Sequence, residues 1–272
     1  MPREITTQFY RPVLNDKPLK SVARKFLLNY PTEVQRLSFT EAEKKYIFSK
    51  GILGKLFQEQ TRPFYLHHFS WIFGRVAQEL MIGRQRPLVV DLGSGSGTGS
   101  LLLALMGARV VGLDITPEAV SASQRRKQFY ESLYGPLDLE FHVANALTFD
   151  YTSLGQIDGV FSVFAFPWMQ PNEDVLAHLL PAMAPHGKVV LANGNDTRLG
   201  ARPMHGALSY DKLRAKFNEL GYRTDAKFHC SIPAVIAKYK PGLMLGKGVE
   251  QILRATGLLR WVCASYMLTC GH

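Results

Sequence analysis

Between Pro87 and Asn193 the chain alternates two kinds of apolar pattern. Short, nearly unbroken runs such as LVVDL, VVGLD and GVFSVFAF predict strands over residues 88–91, 109–114, 139–144, 159–164 and 188–192. The segments between them have helical spacing, with helix starts near Thr98, Pro117 and Asn172 and no clear pattern over 149–156. Strands that are apolar at every position need cover on both faces, which a parallel sheet between two helical layers supplies. Ahead of this core, residues 32–48 show helical spacing with interleaved charges, and Pro63 suits the first turn of an aromatic-rich helix running to Met81. Behind it come a Ser209-capped amphipathic helix ending at Gly221, a strand over 222–229, a basic apolar insertion at 231–258 and a final strand over 261–270. The expected fold is α/β, a doubly wound, mostly parallel seven-stranded sheet. An N-terminal helical extension or lid (1–62) precedes the main domain (63–272).

Composition adds limits. With 272 residues, 46% apolar and 20% charged, the chain reads as globular, which excludes disorder and coiled coil as its dominant state. Its three cysteines, Cys230, Cys263 and Cys270, have neither disulfide-framework nor zinc-ligand spacing, so no metal site is expected and the cytoplasm is the expected compartment. The polar start, interrupted by Pro2 and Pro12, predicts no secretory leader. No stretch is apolar and long enough to predict a membrane span.

The net charge of +10 is unevenly spread: +8 over residues 1–86, −5 over 87–200 and +7 over 201–272. Basic flanks of this kind serve an anionic substrate, an acidic membrane surface or nucleic acid, or simply lie in solvent.

The chemistry concentrates in VVDLGSGSGTGS, residues 89–100, and GARVVGLDITPEAV, residues 107–120. A strand ending in Asp91, a turn built on Gly93, Gly95 and Gly97, and a helix starting near Thr98 bring a ligand close to bare backbone amides. The dinucleotide fingerprint G-x-G-x-x-G/A fails in every register, because its third position falls on Thr98, Ser100 or Leu102.

These residues resemble the first motif, (V/L)(V/L)D(L/I)GxGxG, of the class I, Rossmann-like S-adenosylmethionine-dependent methyltransferases of small-molecule type. Asp91 stands in the acidic place and Asp114 closes the next strand as the second acidic residue. The resemblance covers roughly residues 65–230 and implies S-adenosylmethionine as cofactor, with S-adenosylhomocysteine as product. It implies that Gly93, Ser94, Gly95 and Gly97 line the methionine and ribose portion and that Asp114 accepts from both ribose hydroxyls. Ile115 offers apolar surface to the adenine, and Asn145, beside Ala146, stands where the family often has an acidic residue contacting the adenine amino group. Asn145 is expected to accept through its side-chain carbonyl.

The acceptor is less legible, since methyl transfer demands alignment more than a base. The loop FAFPWMQ, residues 164–170, lacks the D/N/S-P-P-Y/F pattern that methyltransferases of exocyclic base amines resemble, which disfavours nucleic acid. Phe164, Phe166 and Trp168 instead suit an apolar pocket beside a sulfonium, a cation–π contact worth ~0.5–2 kcal/mol. His68, His205 and Asp196 are candidate catalytic groups, and Tyr210 and His67 candidate substrate contacts. The insertion mixes Lys238, Lys240, Lys247 and Arg254 with Ile, Leu and Met, a composition suited to a lid over an amphipathic acceptor or to peripheral contact with a bilayer. The expected partner is thus a small apolar or amphipathic acceptor methylated on oxygen, carbon or nitrogen. An RNA or protein methyltransferase, or a non-catalytic partner-binding relative, is the alternative.

Overall fold

The computed structural model describes residues 19–50, 52–201, 205–230 and 240–272. Seven strands form one sheet in the order β3-β2-β1-β4-β5-β7-β6. They are β1 (Leu88–Leu92), β2 (Arg109–Asp114), β3 (Leu139–Val143), β4 (Ile157–Val163), β5 (Met183–Gly194), β6 (Arg223–His229) and β7 (Ser265–Gly271). All neighbours are parallel except β7, which runs antiparallel to both β5 and β6. Every residue of β1 is buried, as its unbroken apolar pattern requires.

Helices cover both faces. On one lie α1 (Leu19–Arg36), α3 (Arg62–Met81), α4 (Thr98–Leu105) and α5 (Pro117–Tyr134), whose Phe26, Leu27, Ile72, Val76, Leu101 and Ala122 share a single core with Val89, Val110 and Val190 of the sheet. On the other, α6 (Asn172–Leu179) and α7 (Tyr210–Glu219) pack on Val90, Val111, Val160 and Leu191. The extension thus contributes α1, a short α2 (Glu41–Lys45) and the turns Tyr46–Lys50 and Ile52–Phe57 to the core of the sheet domain.

The N-terminal helix differs from the reading over 32–48. α1 begins earlier and stops at Arg36, and Thr40 starts α2 afresh through a capping box: its Oγ1 accepts from the Glu43 N–H, and the Glu43 carboxylate accepts from the Thr40 N–H at 2.6 Å. The last strand also starts later than expected. Its ladder with β5 opens at the pair Gly194–Ser265, where β5 ends, and residues ahead of it, Trp261 included, form the short helix α9 (Leu259–Val262). Of the insertion, residues 231–239, with Lys238, lie outside the described residues; Lys240–Ala255 is an amphipathic helix, α8.

Candidate active site

The turn after β1 is held from below: the N–H groups of Gly93 and Ser94 both donate to the Leu113 carbonyl, at 2.8 and 2.9 Å. Gly93, Gly95 and Gly97 all have φ between 56 and 73°, the left-handed region. The glycines have different reasons. A Cβ on Gly93 would sit 2.2 Å from the Cβ of Ala165, and one on Gly97 would sit 2.5 Å from the Phe141 ring. Gly97 therefore serves close packing between turn and sheet, and it does not border the cavity, contrary to its expected place against the ligand.

That cavity, about 640 Å³, is lined by the other members of the expected set: Asp91, Gly93, Ser94, Gly95, Asp114, Ile115, Asn145, Ala146 and Phe164. Asp114 accepts from the N–H of Gly95 at 2.8 Å and of Thr116 at 2.9 Å, one on each carboxylate oxygen. Each oxygen keeps a lone pair for a further donor. Ile115 is exposed at the rim. The Ser94 hydroxyl is buried and has no protein partner, so it is free to meet a ligand. Asn145 accepts the Leu147 N–H on its side-chain carbonyl at 3.0 Å, which leaves the second lone pair of that oxygen and the NH₂ to meet a ligand. Asp91 is buried and accepts from the Ser100 hydroxyl at 2.6 Å; desolvation pushes its carboxyl up to about 7.

Sequence reasoning missed the contribution of the extension. Tyr46 and Leu53 line the cavity, and the Tyr46 hydroxyl lies over Gly95, 3.2 Å from where a Cβ would stand. Burial, then the Asp114 charge, raises the Tyr46 phenol well above its usual value, so it stays protonated as a donor. Behind the turn, Arg126 of α5 pairs with Glu33 of α1 in full burial, and its Nη1 donates to the Ser96 carbonyl and to Thr98 Oγ1. No local pattern marks any of these, because the contacts join segments far apart in sequence.

A second cavity, about 750 Å³, opens over the end of β5 and shares Phe164 and Trp168 with the first. Phe164 is itself in the left-handed region at φ 58°, a strained setting for a bulky residue, and its N–H donates to the Ala192 carbonyl at 2.7 Å. Trp168 is 72% exposed, whereas Phe166 is 1% exposed and packs in the core with Val175 and Leu191. Phe166 thus serves packing, because alternation around the Phe166–Trp168 turn sends its ring inward.

The remaining candidates disperse. Asp196 borders the second cavity, but both its oxygens accept from the Tyr210 N–H at 3.0–3.2 Å, at the start of α7; burial raises its carboxyl. Tyr210 is buried with its ring edge-on to Tyr266, and borders neither cavity. His205 is exposed, borders neither cavity, and its carbonyl accepts from Gln170.

His67 and His68 lie in the first half of α3, with their rings against that of His229. The His68 and His229 rings are 5.5 Å apart, and His229 lies 4.2 Å over Trp71. His229 Nδ1 meets Glu250 at 2.9 Å, while His68 Nδ1 and His229 Nε2 have no protein partner. Burial, then neighbouring positive charge, lowers both His67 and His68 to about 3, so both are neutral. His68 borders neither cavity and touches the site only through the Phe164 ring, 5.8 Å away. Among the described residues no group of three or more His, Cys, Asp or Glu is placed to hold a metal ion.

Comparison with known proteins agrees with this geometry. An uncharacterized protein of Mycobacterium tuberculosis is 30% identical over 138 residues, 44% of this chain and 48% of its own length. The same holds for a Mycobacterium bovis protein, so the chain spans about half the length of the curated relatives it matches. Magnesium protoporphyrin IX methyltransferase from Synechocystis PCC 6803, solved with bound SAH, superposes with TM-score 0.54 at 15% identity, over 93% of this chain and 99% of that one. A SAM-dependent methyltransferase from Archaeoglobus fulgidus gives TM-score 0.50 at 14% identity, over 74% and 93%. These structural likenesses speak to the fold. Residues 90–191, which hold the end of β1, the glycine turn and Asp114, match the family described as a methyltransferase domain, so this segment is a methyltransferase domain of the class I S-adenosylmethionine-dependent type.

Proposed function

We propose that this chain transfers a methyl group from S-adenosylmethionine to a small apolar or amphipathic metabolite, on oxygen, carbon or nitrogen. The observation that carries the reading is the pair of cavities meeting at Phe164 and Trp168, one of cofactor size beside the glycine turn and one beyond the end of β5.

When bound, the cofactor would supply an electrophilic methyl on a sulfonium, transferred in line to the acceptor as the thioether S-adenosylhomocysteine leaves. The chain's residues fit such a group. Asp114 offers its free lone pairs to a vicinal diol, Ser94 an unpaired hydroxyl, Ile115 an apolar wall, and Asp91 a carboxylate that a nearby cation would help ionise. Phe164 and Trp168 present ring faces that tolerate positive charge between the two cavities. Alignment by these walls is the main contribution, and a base to take up a proton is required only for an acceptor that loses one on methylation.

The test is isothermal titration of the purified chain with S-adenosylmethionine and S-adenosylhomocysteine, with NAD as control. Binding of the first two alone supports the reading. Failure of both in a folded sample would overturn it and favour the non-catalytic, partner-binding relative. Salt-sensitive binding of RNA would instead favour a nucleic-acid acceptor.

A second observation supports peripheral membrane contact. Helix α8 leaves Met244, Leu245, Val249 and Ile252 exposed, with Lys247 and Arg254 on the same helix. No helix among the described residues is long and apolar enough to cross a membrane, so contact would be from one side. The buried free thiols of Cys263 and Cys270 favour a reducing compartment, the cytoplasm.

A further inference from the structure

Among the polar side chains bordering the second cavity, Asn195 and Asp196 hold bonds within the chain, Arg198 is exposed, and Asn193 is buried with an open acceptor. Asn195 spends its NH₂ on the carbonyls of Arg260 and Cys263 and its Oδ1 on Thr197. Asp196 spends both oxygens on the start of α7. Asn193 differs. Its Nδ2 donates to the Tyr266 hydroxyl at 3.2 Å, but its Oδ1 has no partner although the residue is only 2% exposed. The Tyr266 hydroxyl, accepting that bond, keeps its own proton to give. Both residues border the cavity. Buried amide oxygens are nearly always satisfied, so one left open at a cavity wall is a place where a ligand supplies the missing donor.

We propose that Asn193 and Tyr266 are the recognition pair for the methyl acceptor, and that the acceptor is a hydroxylated aromatic compound whose O–H donates to Asn193 Oδ1. The proposal rests on the second cavity being the acceptor site. A hydroxyl fits because it gives a proton to Oδ1 and accepts one from Tyr266. A carboxylate or phosphate at this pair would set lone pairs against the amide oxygen, and the cation bordering the cavity, Arg198, is exposed, unlike the buried pair. An ammonium group has no lone pair, so it would leave the Tyr266 proton without an acceptor. The flanking surfaces, Phe164, Pro167 and Trp168, are flat and apolar and suit a ring.

The probes are 2-naphthol and 2-methoxynaphthalene, which share a ring system and differ in the O–H donor. Titrated into the wild-type chain, 2-naphthol should bind about tenfold tighter than the ether, the discrimination of one net hydrogen bond. Asn193→Leu should weaken 2-naphthol about tenfold and leave the ether unchanged, whereas the conservative Tyr266→Phe should weaken both probes, because the ether oxygen also accepts from the Tyr266 hydroxyl. Binding of S-adenosylhomocysteine by each variant reports that the cofactor cleft is folded. Equal affinity for the two probes, binding of neither, a preference that survives Asn193→Leu, or an ether affinity untouched by Tyr266→Phe overturns the proposal. If the preference holds while S-adenosylhomocysteine fails to bind the wild type, the recognition pair stands and the methyltransferase reading falls.

Discussion

Glu33 and Arg126, 93 residues apart, form a fully buried ion pair directly behind the glycine turn. The Tyr130 hydroxyl also donates to Glu33, at 2.7 Å, and Arg126 passes the connection on to Ser96 and Thr98. The pair therefore ties α1 of the extension to the turn that borders the cofactor cleft. Desolvation makes such a pair a modest net stabiliser when intact, yet costly to break, because the survivor is a buried charge with no partner. Glu33→Ala should cost about 3–5 kcal/mol in urea unfolding. It should also weaken S-adenosylmethionine binding, since Arg126 no longer has a fixed position from which to hold Ser96. Unchanged cofactor affinity in the folded variant would separate the extension from the site.

Two aromatic residues one turn apart make a sharper contrast. Phe166→Ala should lose about 3–5 kcal/mol, the cost of emptying a packed core position. Trp168→Ala should change stability by no more than about 0.5 kcal/mol, because its ring is mostly in solvent. If both cavities are used, the Trp168 variant nevertheless binds 2-naphthol more weakly. Urea unfolding beside the naphthol titration checks both halves.

The glycine turn separates packing from ligand access. Gly97→Ala should destabilise the chain, because its φ of 73° is strained for alanine and its Cβ meets the Phe141 ring. Adding Phe141→Leu should recover part of the loss, since that shortens the side chain in the way. Gly95→Val faces the cleft and should abolish cofactor binding, and Asp114→Ala should weaken it at least tenfold, the loss of one net hydrogen bond or more. Normal binding by the folded Asp114 variant would refute its diol role.

Why some of this was legible in the sequence and some not follows from distance along the chain. The strands of the parallel core announce themselves because burial on both faces is a local requirement, and Asp91, Gly93 and Asp114 lie within one βαβ unit. Tyr46 and the Glu33–Arg126 pair do not, because their role exists only once α1 and α2 fold back over the turn. Phe166 and Trp168 look alike in sequence; only the short turn between them decides which faces the core. Asn193 sits at the end of β5, ahead of a polar run, and nothing local says that Asn195 and Asp196 hold bonds within the chain while its own amide oxygen is left open.

Helix α8 gives a test away from the cleft. Wild-type chain should co-sediment with vesicles containing phosphatidylglycerol, less so as salt rises, and Leu245→Glu with Ile252→Glu should lose that binding with the fold intact. Equal sedimentation of both proteins would remove the membrane from the reading.

Asp91 predicts how the site responds to pH. In the folded chain its carboxyl titrates near 7, because burial outweighs the bond from Ser100; in the unfolded chain it returns to about 3.9. Between these values the folded state binds the extra proton, so this group's contribution to stability declines as pH rises from about 4 to about 7 and stays low above that. Asp91→Asn removes the titration. The variant should therefore gain on the wild type in urea unfolding at pH 8 and show no such gain at pH 4. Cofactor binding should run the opposite way. A cationic ligand in the cleft favours ionised Asp91, so S-adenosylmethionine affinity should rise as pH goes from 6 to 8, with a proton released to the buffer during titration near pH 6. In Asp91→Asn both the rise and the proton release should vanish. A wild-type affinity that is flat over this range would place the Asp91 charge away from the cofactor's positive groups.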